Sequence, residues 1–233
     1  MSELLKNPVI LALDVDLDID AFKICDHVGD LVGGVKVGPR LINKYGAAFI
    51  EELAERALVF VDNKFFDIPS TMVAAVKSVF DAGASLTTVH SLAGPEALAE
   101  LHKLEVELNH IRPFKILAVT ILTSWDQNSF SPNFHSWSVE NHVRSLAQVI
   151  YQSGLRGMVC SGHELELLNY PDMFKVTPGI RLSTDVETKN DQKRIMTPKQ
   201  AVRAGASAIV IGRPILSSHQ PRETILNILE SCT

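Results

Sequence analysis

The sequence contains little cysteine, no long apolar run and no cluster of basic residues. Its three cysteines, Cys25, Cys160 and Cys232, are far apart and form no CxxC pair. This spacing argues against a disulfide framework or a zinc site and favours reduced thiols in a cytoplasmic protein. No apolar run approaches the roughly 20 residues that cross a bilayer, and the start MSELLKNPVI lacks the pattern of a signal peptide. We therefore expect a cytoplasmic protein without a membrane partner.

The charge balance is mildly acidic, with a formal net charge of −5 over 233 residues. Without a basic run the chain has no electrostatic footprint for nucleic acid, so we expect no nucleic-acid partner. Hydrophobic residues make up 46% of the chain, which is ample for one sizeable core. No linker or low-complexity stretch divides the chain, and we expect a single domain over residues 1–233.

Eight short apolar runs alternate with segments of helical periodicity. The runs are rich in Val and Ile and apolar on both faces, which is typical of parallel strands buried between helices. They are VILALD ending at Asp14, GGVKV at Val37, LVFVD at Asp62, SLTTVH at His90, KILAVT at Thr120, GMVC at Cys160, FKVT at Thr177 and AIVIG at Gly212. Eight strand–helix units predict an α/β fold, the (β/α)8 TIM barrel. A doubly wound open sheet is the alternative, but no GxGxxG motif follows the first strand.

Four local motifs indicate where helices begin and end. TPKQ at 197–200 and SGHE at 161–164 match the capping box of a helix start, and the first of them has proline at the first helical position. Gly83 and Gly205 each follow a helical pattern and are expected to end it as C′ glycines.

The candidate site follows from the predicted barrel, because catalytic groups in this fold come from the carboxyl ends of the strands. The polar residues that close or follow the apolar runs are Asp14, Lys36, Asp62, Lys64, His90, Thr120, Thr123, Ser161, Arg181, Gly212 and Arg213. Lysine and aspartate are almost never buried unless they are paired. We therefore expect an alternating network of Lys and Asp side chains at one mouth of the barrel.

Two kinds of segment carry the strongest chemical signals. DNKFFDIPST, residues 62–71, places Asp62, Lys64 and Asp67 after the third strand, and an extended backbone would point Asp62 and Lys64 the same way. VTPGIR and VIGRP each place glycine and arginine after the seventh and eighth strands. Loops at those two positions commonly bind phosphate, because glycine admits the anion to backbone N–H groups and arginine offers a bidentate fork.

These segments resemble the orotidine 5′-phosphate decarboxylase family. DNKFFDIPST is similar to the family's DxKxxDIPxT signature, and LALD, GVKVG, VTILTS, VTPGIR, DQKRIMTP and IVIGRPI extend the resemblance over essentially the whole chain. The resemblance implies a carboxy-lyase that converts orotidine 5′-phosphate (OMP) to UMP and CO2, the last step of de novo pyrimidine biosynthesis. It also implies that neither a metal nor an organic cofactor takes part.

The resemblance assigns roles to individual residues. The catalytic network would comprise Lys36, Asp62, Lys64 and Asp67, with Lys64 stabilising the carbanion and donating the proton. Substrate would be bound by Asp14 (a ribose hydroxyl), Lys36, Asp62, Thr71, Thr123 (near the pyrimidine), Arg181, Gln192, Gly212 and Arg213 (the last four on the 5′-phosphate). Asp67 and Thr71 would reach into the neighbouring subunit's site, which implies a homodimer with shared active sites. The stretch 181–193 would close over the phosphate.

Two features of the chain depart from the family or vary within it. Asn63 and Phe66 stand where a smaller apolar residue and a histidine are common, which affects the expected fine geometry more than the expected activity. Residues 123–137 form a long polar and aromatic segment after the fifth strand, where a lid over the catalytic face is one interpretation.

Two other functions stay open from the sequence. A magnesium-dependent keto-sugar-phosphate decarboxylase of the same superfamily would share the DxK pair, although the IPxT segment favours the nucleotide enzyme. A non-catalytic barrel that binds a phosphate ligand would share the fold, because fold alone does not determine function. The intact Lys-Asp-Lys-Asp set argues against this second alternative.

Overall fold

The computed structural model describes residues 4–125, 137–182 and 196–233, and in them eight parallel strands form a closed barrel in sequence order. The strands are β1 (Val9–Ala12), β2 (Gly34–Val37), β3 (Val59–Phe65), β4 (Leu86–His90), β5 (Lys115–Val119), β6 (Gly157–Val159), β7 (Phe174–Thr177) and β8 (Ala208–Ile211). The first and last strands pair in parallel, with Val9 opposite Ile209, so the sheet closes on itself. The predicted (β/α)8 barrel is therefore confirmed, and the open-sheet alternative is wrong.

Helices connect the strands and pack on the outside of the barrel. They are α1 (Asp18–Val28), α2 (Pro39–Ala54), α3 (Pro69–Asp81), α4 (Gly94–Asn109), α5 (Val139–Gln152), α6 (Pro198–Arg203), α7 (Arg213–Leu216) and α8 (Pro221–Ser231). Short 3₁₀ helices span Ser91–Ala93 and Gly162–Leu167. Within the described ranges, no helix is both long enough and apolar enough to span a bilayer.

The strands contribute to two separate apolar clusters, because successive strand residues point to opposite faces. The inner cluster fills the barrel and consists of Ile10, Ala12, Phe60, Leu86, Leu117, Val176, Ala208 and Val210. The outer cluster lies between strands and helices, and Val9, Leu11, Val35 and Val61 belong to it. Since Leu86 faces inward, Thr88 and His90 on the same strand face inward as well, which brings them toward the mouth of the barrel.

Both predicted C′ glycines end their helices in the left-handed conformation. Gly83 follows α3 with φ 102° and Gly205 follows α6 with φ 98°. After α3, the N–H of Gly83 donates to Phe80 O and the N–H of Ala84 to Val79 O, which is the Schellman pattern. The two predictions are therefore confirmed.

The two predicted capping boxes begin helices of different types. Thr197 caps α6, since its hydroxyl accepts from the Gln200 N–H while its own N–H donates to Gln200 Oε1. At Ser161, the main-chain N–H donates to Glu164 Oε2 at 2.9 Å, but the next segment is the 3₁₀ helix. The predicted helix start at Ser161 is therefore confirmed, and the helix that follows it is of the 3₁₀ type.

Candidate active site

A cavity of about 520 Å³ opens at the carboxyl ends of the strands. Its apolar lining continues the barrel interior and comprises Ala12, Phe60, Val119, Ile121, Leu122, Val159, Val176 and Val210. Its remaining lining comprises Asp14, Lys36, Arg40, Asp62, Lys64, Thr123, Pro178, Gly179, Arg181, Gly212 and Arg213. Cations outnumber carboxylates in this wall, so the cavity suits an anionic ligand despite the acidic net charge of the chain.

Asp62 lies at the centre of a charged network that reaches from the barrel interior to the rim. Lys64 Nζ is 2.8 Å from Asp62 Oδ1, and Lys36 Nζ is 3.4 Å from Asp62 Oδ2. Lys36 Nζ is also 3.7 Å from Oδ1 of Asp14, whose side chain is 63% exposed at the rim. The charges alternate along the network, so each ion has an opposite neighbour within about 4 Å, as its burial requires.

The network determines how its members ionise. Burial raises the pKa of Asp62, but the charges of Lys36 and Lys64 and the hydrogen bonds from Lys64 and Thr88 outweigh burial and hold that pKa below its ordinary value. Asp62 is therefore an anion at neutral pH. For His90, burial and then the Lys64 charge lower the pKa, so the imidazole is neutral at pH 7.

Lys64 has a left-handed backbone, with φ 49°. The pairing of β3 with β4 shifts register between Val61 and Phe65, and Lys64 lies inside this irregularity. Its N–H donates to the Thr88 hydroxyl at 2.9 Å. Asp62 and Lys64 do meet, as expected, but the expected extended backbone is wrong at Lys64. Their side chains meet because the strand is bulged at Lys64.

The glycine–arginine segments after β7 and β8 line the same cavity. Arg181 is only 6% exposed, and its guanidinium donates to Ile180 O at 3.0 Å. A Cβ at Gly212 would lie 3.3 Å from the Ala12 Cβ and 3.4 Å from Asp14 Oδ2, so glycine leaves room at this point of the wall. Arg213 begins α7 next to it. Gln192 was also expected here, but it lies outside the described residues, as do residues 183–195 as a whole.

Some expected residues lie elsewhere in the described structure. Thr120 and Ser161 are fully buried and do not line the cavity. His90 does not line it either, and its Nδ1 accepts from the Leu92 N–H. Asp67 and Thr71 are exposed beyond β3, where Asp67 Oδ1 accepts from the adjacent Ile68 N–H at 2.7 Å. Of the long segment after β5, Thr123 lines the cavity, whereas residues 126–136 lie outside the described residues.

Two residues at the site were not identified from the sequence. Arg40 lines the cavity and pairs with Asp16 at 3.3 Å. The signal was present, since the GPR segment after β2 combines glycine and arginine like the two later segments. Thr88 contacts both Asp62 and Lys64, but a threonine inside a strand is also explained by its β-propensity alone.

The two departures from the family signature lie outside the cavity lining. Phe66 is 62% exposed, and its ring centroid is 5.8 Å from that of His90. Asn63 has a buried side-chain oxygen without a hydrogen-bond partner in the described residues. Neither side chain takes part in the ion pairs around Asp62.

Comparisons with known proteins agree on one family. Residues 7–228 match the family model described as "Orotidine 5'-phosphate decarboxylase / HUMPS family". The chain is 35% identical to the orotidine 5′-phosphate decarboxylase of Rhodospirillum rubrum, over 96% of this chain and 93% of that protein. It is 39% identical to that of Trichlorobacter lovleyi, over 93% of this chain and 91% of that protein.

Solved structures show the same likeness in three dimensions. The crystal structure of orotidine 5′-phosphate decarboxylase from Lactobacillus acidophilus superposes with a TM-score of 0.84 at 32% identity, covering 98% of this chain and 100% of that chain. An uncharacterized conserved protein from Geobacillus kaustophilus superposes with a TM-score of 0.81 at 26% identity, covering 97% of this chain and 100% of that chain. The similarity therefore extends over the whole barrel and is not confined to the site.

Proposed function

The chain belongs to the orotidine 5′-phosphate decarboxylase / HUMPS family and is a carboxy-lyase that converts OMP to UMP and CO2 in pyrimidine biosynthesis, and we propose that its Lys–Asp network performs this reaction without a metal or organic cofactor. One observation carries the proposal. Lys64 lines the cavity, and its Nζ lies 2.8 Å from an ionised, partly buried carboxylate, so a fixed ammonium faces the space available to substrate. Such a preorganised charge stabilises a developing anion better than water does.

The difficult step is the formation of a carbanion at C6 of the pyrimidine. The bond between C6 and the carboxylate breaks, its electron pair stays on C6, and CO2 leaves. The Lys64 ammonium stabilises this charge while it forms and then transfers a proton from Nζ to C6, which completes UMP. Lys64 then regains a proton from solvent, so atoms and charges balance over the cycle.

Asp62 and Lys36 together orient Lys64. Asp62 Oδ1 accepts a hydrogen bond from Lys64 Nζ at 2.8 Å, which fixes the direction of the lysine side chain. Lys36 is 3.4 Å from the other oxygen of the same carboxylate, so it holds the carboxylate in one orientation. The Asp62 charge also lies on the same side of the cavity as Lys64, where it repels the C6 carboxylate of OMP. This repulsion ends when the carboxylate leaves as CO2.

The phosphate end of OMP binds away from the reacting carbon. We assign it to Arg181, Gly212 and Arg213, with Gln192 as a further phosphate ligand, because a buried arginine and a glycine at the cavity wall suit a phosphate. Asp14 at the rim accepts from a ribose hydroxyl, and Thr123 lies near the pyrimidine. The binding energy of the phosphate then supports the chemical step as well as the affinity.

We further propose a homodimer in which Asp67 and Thr71 complete the partner's site. Asp67 is exposed, and in the described part of its own chain it makes no ion pair with Lys64. Its neighbours Phe66 and Ile68 are 62% and 64% exposed, which is more apolar surface than a loop usually presents to water. A second copy over this segment would bury both side chains and bring Asp67 to a second network.

Subunit complementation tests the shared site. Asp67→Ala and Lys64→Ala proteins should each be inactive, but co-expression should yield mixed dimers with one intact site. Because half of the dimers are mixed, we expect about one quarter of wild-type activity. Independent sites predict no recovery, and recovery is therefore the decisive observation.

The enzyme is also proposed to work in the cytoplasm. Its cysteines are free thiols, with Cys25 and Cys160 buried, which suits a reducing compartment.

The proposed reaction is tested by the loss of OMP absorbance with purified protein in EDTA. We expect turnover by the wild type and a loss of at least about 10⁴-fold in kcat for Lys64→Ala, because both charge stabilisation and proton donation are removed. Lys103→Ala, at an exposed surface pair, is the matched control and should keep full activity. Turnover that required added magnesium would contradict the metal-free mechanism.

The same assay separates the alternatives. The relatives' names favour the nucleotide enzyme over a keto-sugar-phosphate decarboxylase. Activity on a keto-sugar phosphate with magnesium and none on OMP would reverse that preference. Binding of UMP without turnover of OMP would indicate a non-catalytic barrel.

A further inference from the structure

The Thr88 hydroxyl joins the two central members of the charged network. Thr88 is fully buried in β4. Its Oγ1 accepts the Lys64 N–H at 2.9 Å and donates to Asp62 Oδ1 at 2.9 Å. Asp62 Oδ1 also accepts from Lys64 Nζ at 2.8 Å. One hydroxyl therefore contacts the main chain of Lys64 and the carboxylate that holds its side chain.

The Lys64 backbone needs such a contact. A left-handed φ of 49° is costly for a residue with a Cβ, and it persists only where the surroundings hold it. The shift in register between β3 and β4 falls at this point, so regular strand pairing is interrupted around Lys64. The Thr88 hydroxyl accepts the Lys64 N–H there, which satisfies a partly buried donor and holds the bulge.

The Asp62 carboxylate is held from two sides. Thr88 and Lys64 Nζ occupy Oδ1, while Lys36 lies 3.4 Å from Oδ2. Without the hydroxyl, the carboxylate would lose a neutral donor and would be free to rotate toward either lysine. Lys64 would then lose its direction as well as its backbone support, although no charge had been removed.

We propose that Thr88 is a positioning residue for the decarboxylation: its buried hydroxyl holds Lys64 in the left-handed bulge and Asp62 in one orientation, so that Lys64 Nζ points into the cavity. This inference rests on the proposed function. Thr88 does not line the cavity and touches no reacting atom, so it acts on the chemical step through Lys64 and Asp62. It should therefore affect kcat and leave the binding of the product phosphate and ribose unchanged.

The adjacent residue provides a matched control. Thr87 is also fully buried in β4, and its hydroxyl donates to Val61 O at 3.1 Å, but it faces the helices. Thr87→Val and Thr88→Val remove the same group from the same strand at neighbouring positions. They differ in what the lost hydroxyl contacted, so any general effect of a buried valine is common to both.

The test measures kcat for OMP and the Kd for UMP in wild type, Thr88→Val, Thr88→Ser and Thr87→Val. For Thr88→Val we expect kcat to fall about 10- to 100-fold, as for the loss of a hydrogen bond to a charged group. Its Kd for UMP should stay within about threefold, which also reports that the protein is folded. Thr88→Ser and Thr87→Val should keep kcat within about threefold, because both retain the hydroxyl at position 88.

Four results would overturn the role of Thr88. They are a kcat within threefold of wild type for Thr88→Val, a Thr88→Ser protein as slow as Thr88→Val, an equal loss in Thr87→Val, and a weakening of UMP binding that parallels kcat. Thr88→Cys, which keeps the size but bonds more weakly, is the second variant if circular dichroism shows that Thr88→Val is unfolded, and its kcat should lie below that of Thr88→Ser. No OMP turnover by the wild type would instead overturn the proposed function.

Discussion

Two carboxylates with little exposed surface pair with lysines at opposite ends of the barrel, and their pKa values shift in opposite directions. Asp62 lies near the cavity at the carboxyl ends of the strands, and its pKa is lowered. Glu105 of α4 pairs with Lys115 at the amino end of β5, with 3.5 Å between Oε1 and Nζ, and its pKa is raised. An ion pair therefore does not by itself determine the charge state of its members.

The difference lies in how many partners offset burial. For both carboxylates burial is the largest influence on the pKa, and it favours the neutral acid. Asp62 is contacted by two lysines and a threonine hydroxyl. Glu105 is contacted by one lysine, at 3.5 Å, and by the Ile116 N–H. These two contacts do not offset the effect of burial on its pKa. At the mouth of the barrel the contacts outweigh burial and lower the pKa of the carboxyl group. At the opposite end burial outweighs the contacts and raises it.

The largest expected contrast comes from replacing each carboxyl group with an amide of the same shape. Asp62→Asn should lower kcat by about 10² to 10³-fold, because Lys64 loses the anion that orients it. Glu105→Gln should leave kcat within threefold of wild type, since Glu105 does not line the cavity and burial favours its neutral acid. Steady-state kinetics with OMP, together with UMP binding as a measure of folding, would decide between them. Equal losses in the two variants would contradict the distinction between the two carboxylates.

Removal of the lysine partners should show a smaller contrast in the same direction, with the larger loss of kcat/KM at the mouth of the barrel. Lys36→Ala should reduce kcat/KM about 10- to 100-fold, because Asp62 keeps Lys64 but loses the ion pair on its other oxygen. Lys115→Ala should remain within threefold in kcat/KM and within about 1 kcal/mol in the free energy of unfolding, as for a partly exposed pair. Kinetics and urea unfolding of both variants provide the check, and a loss of kcat/KM in Lys115→Ala as large as that in Lys36→Ala would contradict the expected contrast.

The smallest expected effect is in the pH dependence of stability. The folded pKa of Glu105 lies above its unfolded value, so its favourable contribution is present below about pH 4.3 and is lost as the pH rises through the folded pKa. Glu105→Gln should therefore gain stability relative to wild type as the pH rises from 4 to 8. Asp62 has the opposite sign, so its contribution is present above about pH 3.9 and is lost only as the pH falls through the lowered folded pKa.

Urea unfolding of wild type, Glu105→Gln and Asp62→Asn at fixed protein concentration measures this effect. The difference between wild type and Glu105→Gln should change over that range, whereas the difference between wild type and Asp62→Asn should be flat above pH 5. A constant difference for Glu105→Gln would mean that its pKa is the same in the folded and unfolded states.

Much of the fold could be read from the chain because the signals are local. Each apolar run predicts a strand from its own side chains, and the C′ glycines at Gly83 and Gly205 act within one turn of their helices. The repetition of eight such units then leaves few topologies. For the same reason, the positions of Asp14, Lys36, Asp62 and Arg181 at one mouth followed from their places after the strands.

Local signals were insufficient where the outcome depended on a neighbouring element. Two capping motifs of the same type begin an α-helix at Thr197 and a 3₁₀ helix at Ser161, so the motif marks the start of a helix but does not determine its type. His90 and Thr120 also close apolar runs, yet they do not line the cavity. Strand position identifies candidates, and packing selects among them.

The sequence by itself determined the barrel, the identity of its charged residues and their common end, since these depend on periodicity and on residue order. Only the tertiary structure decided that Lys64 is left-handed, that Thr88 contacts it, and that the pKa of Asp62 is lowered while that of Glu105 is raised. The hydrogen bonds responsible join residues 24 and 26 positions apart, from Lys64 to Thr88 and from Thr88 to Asp62. Such contacts exist only after β3 and β4 pair in one register, and no pattern within a single strand contains that register.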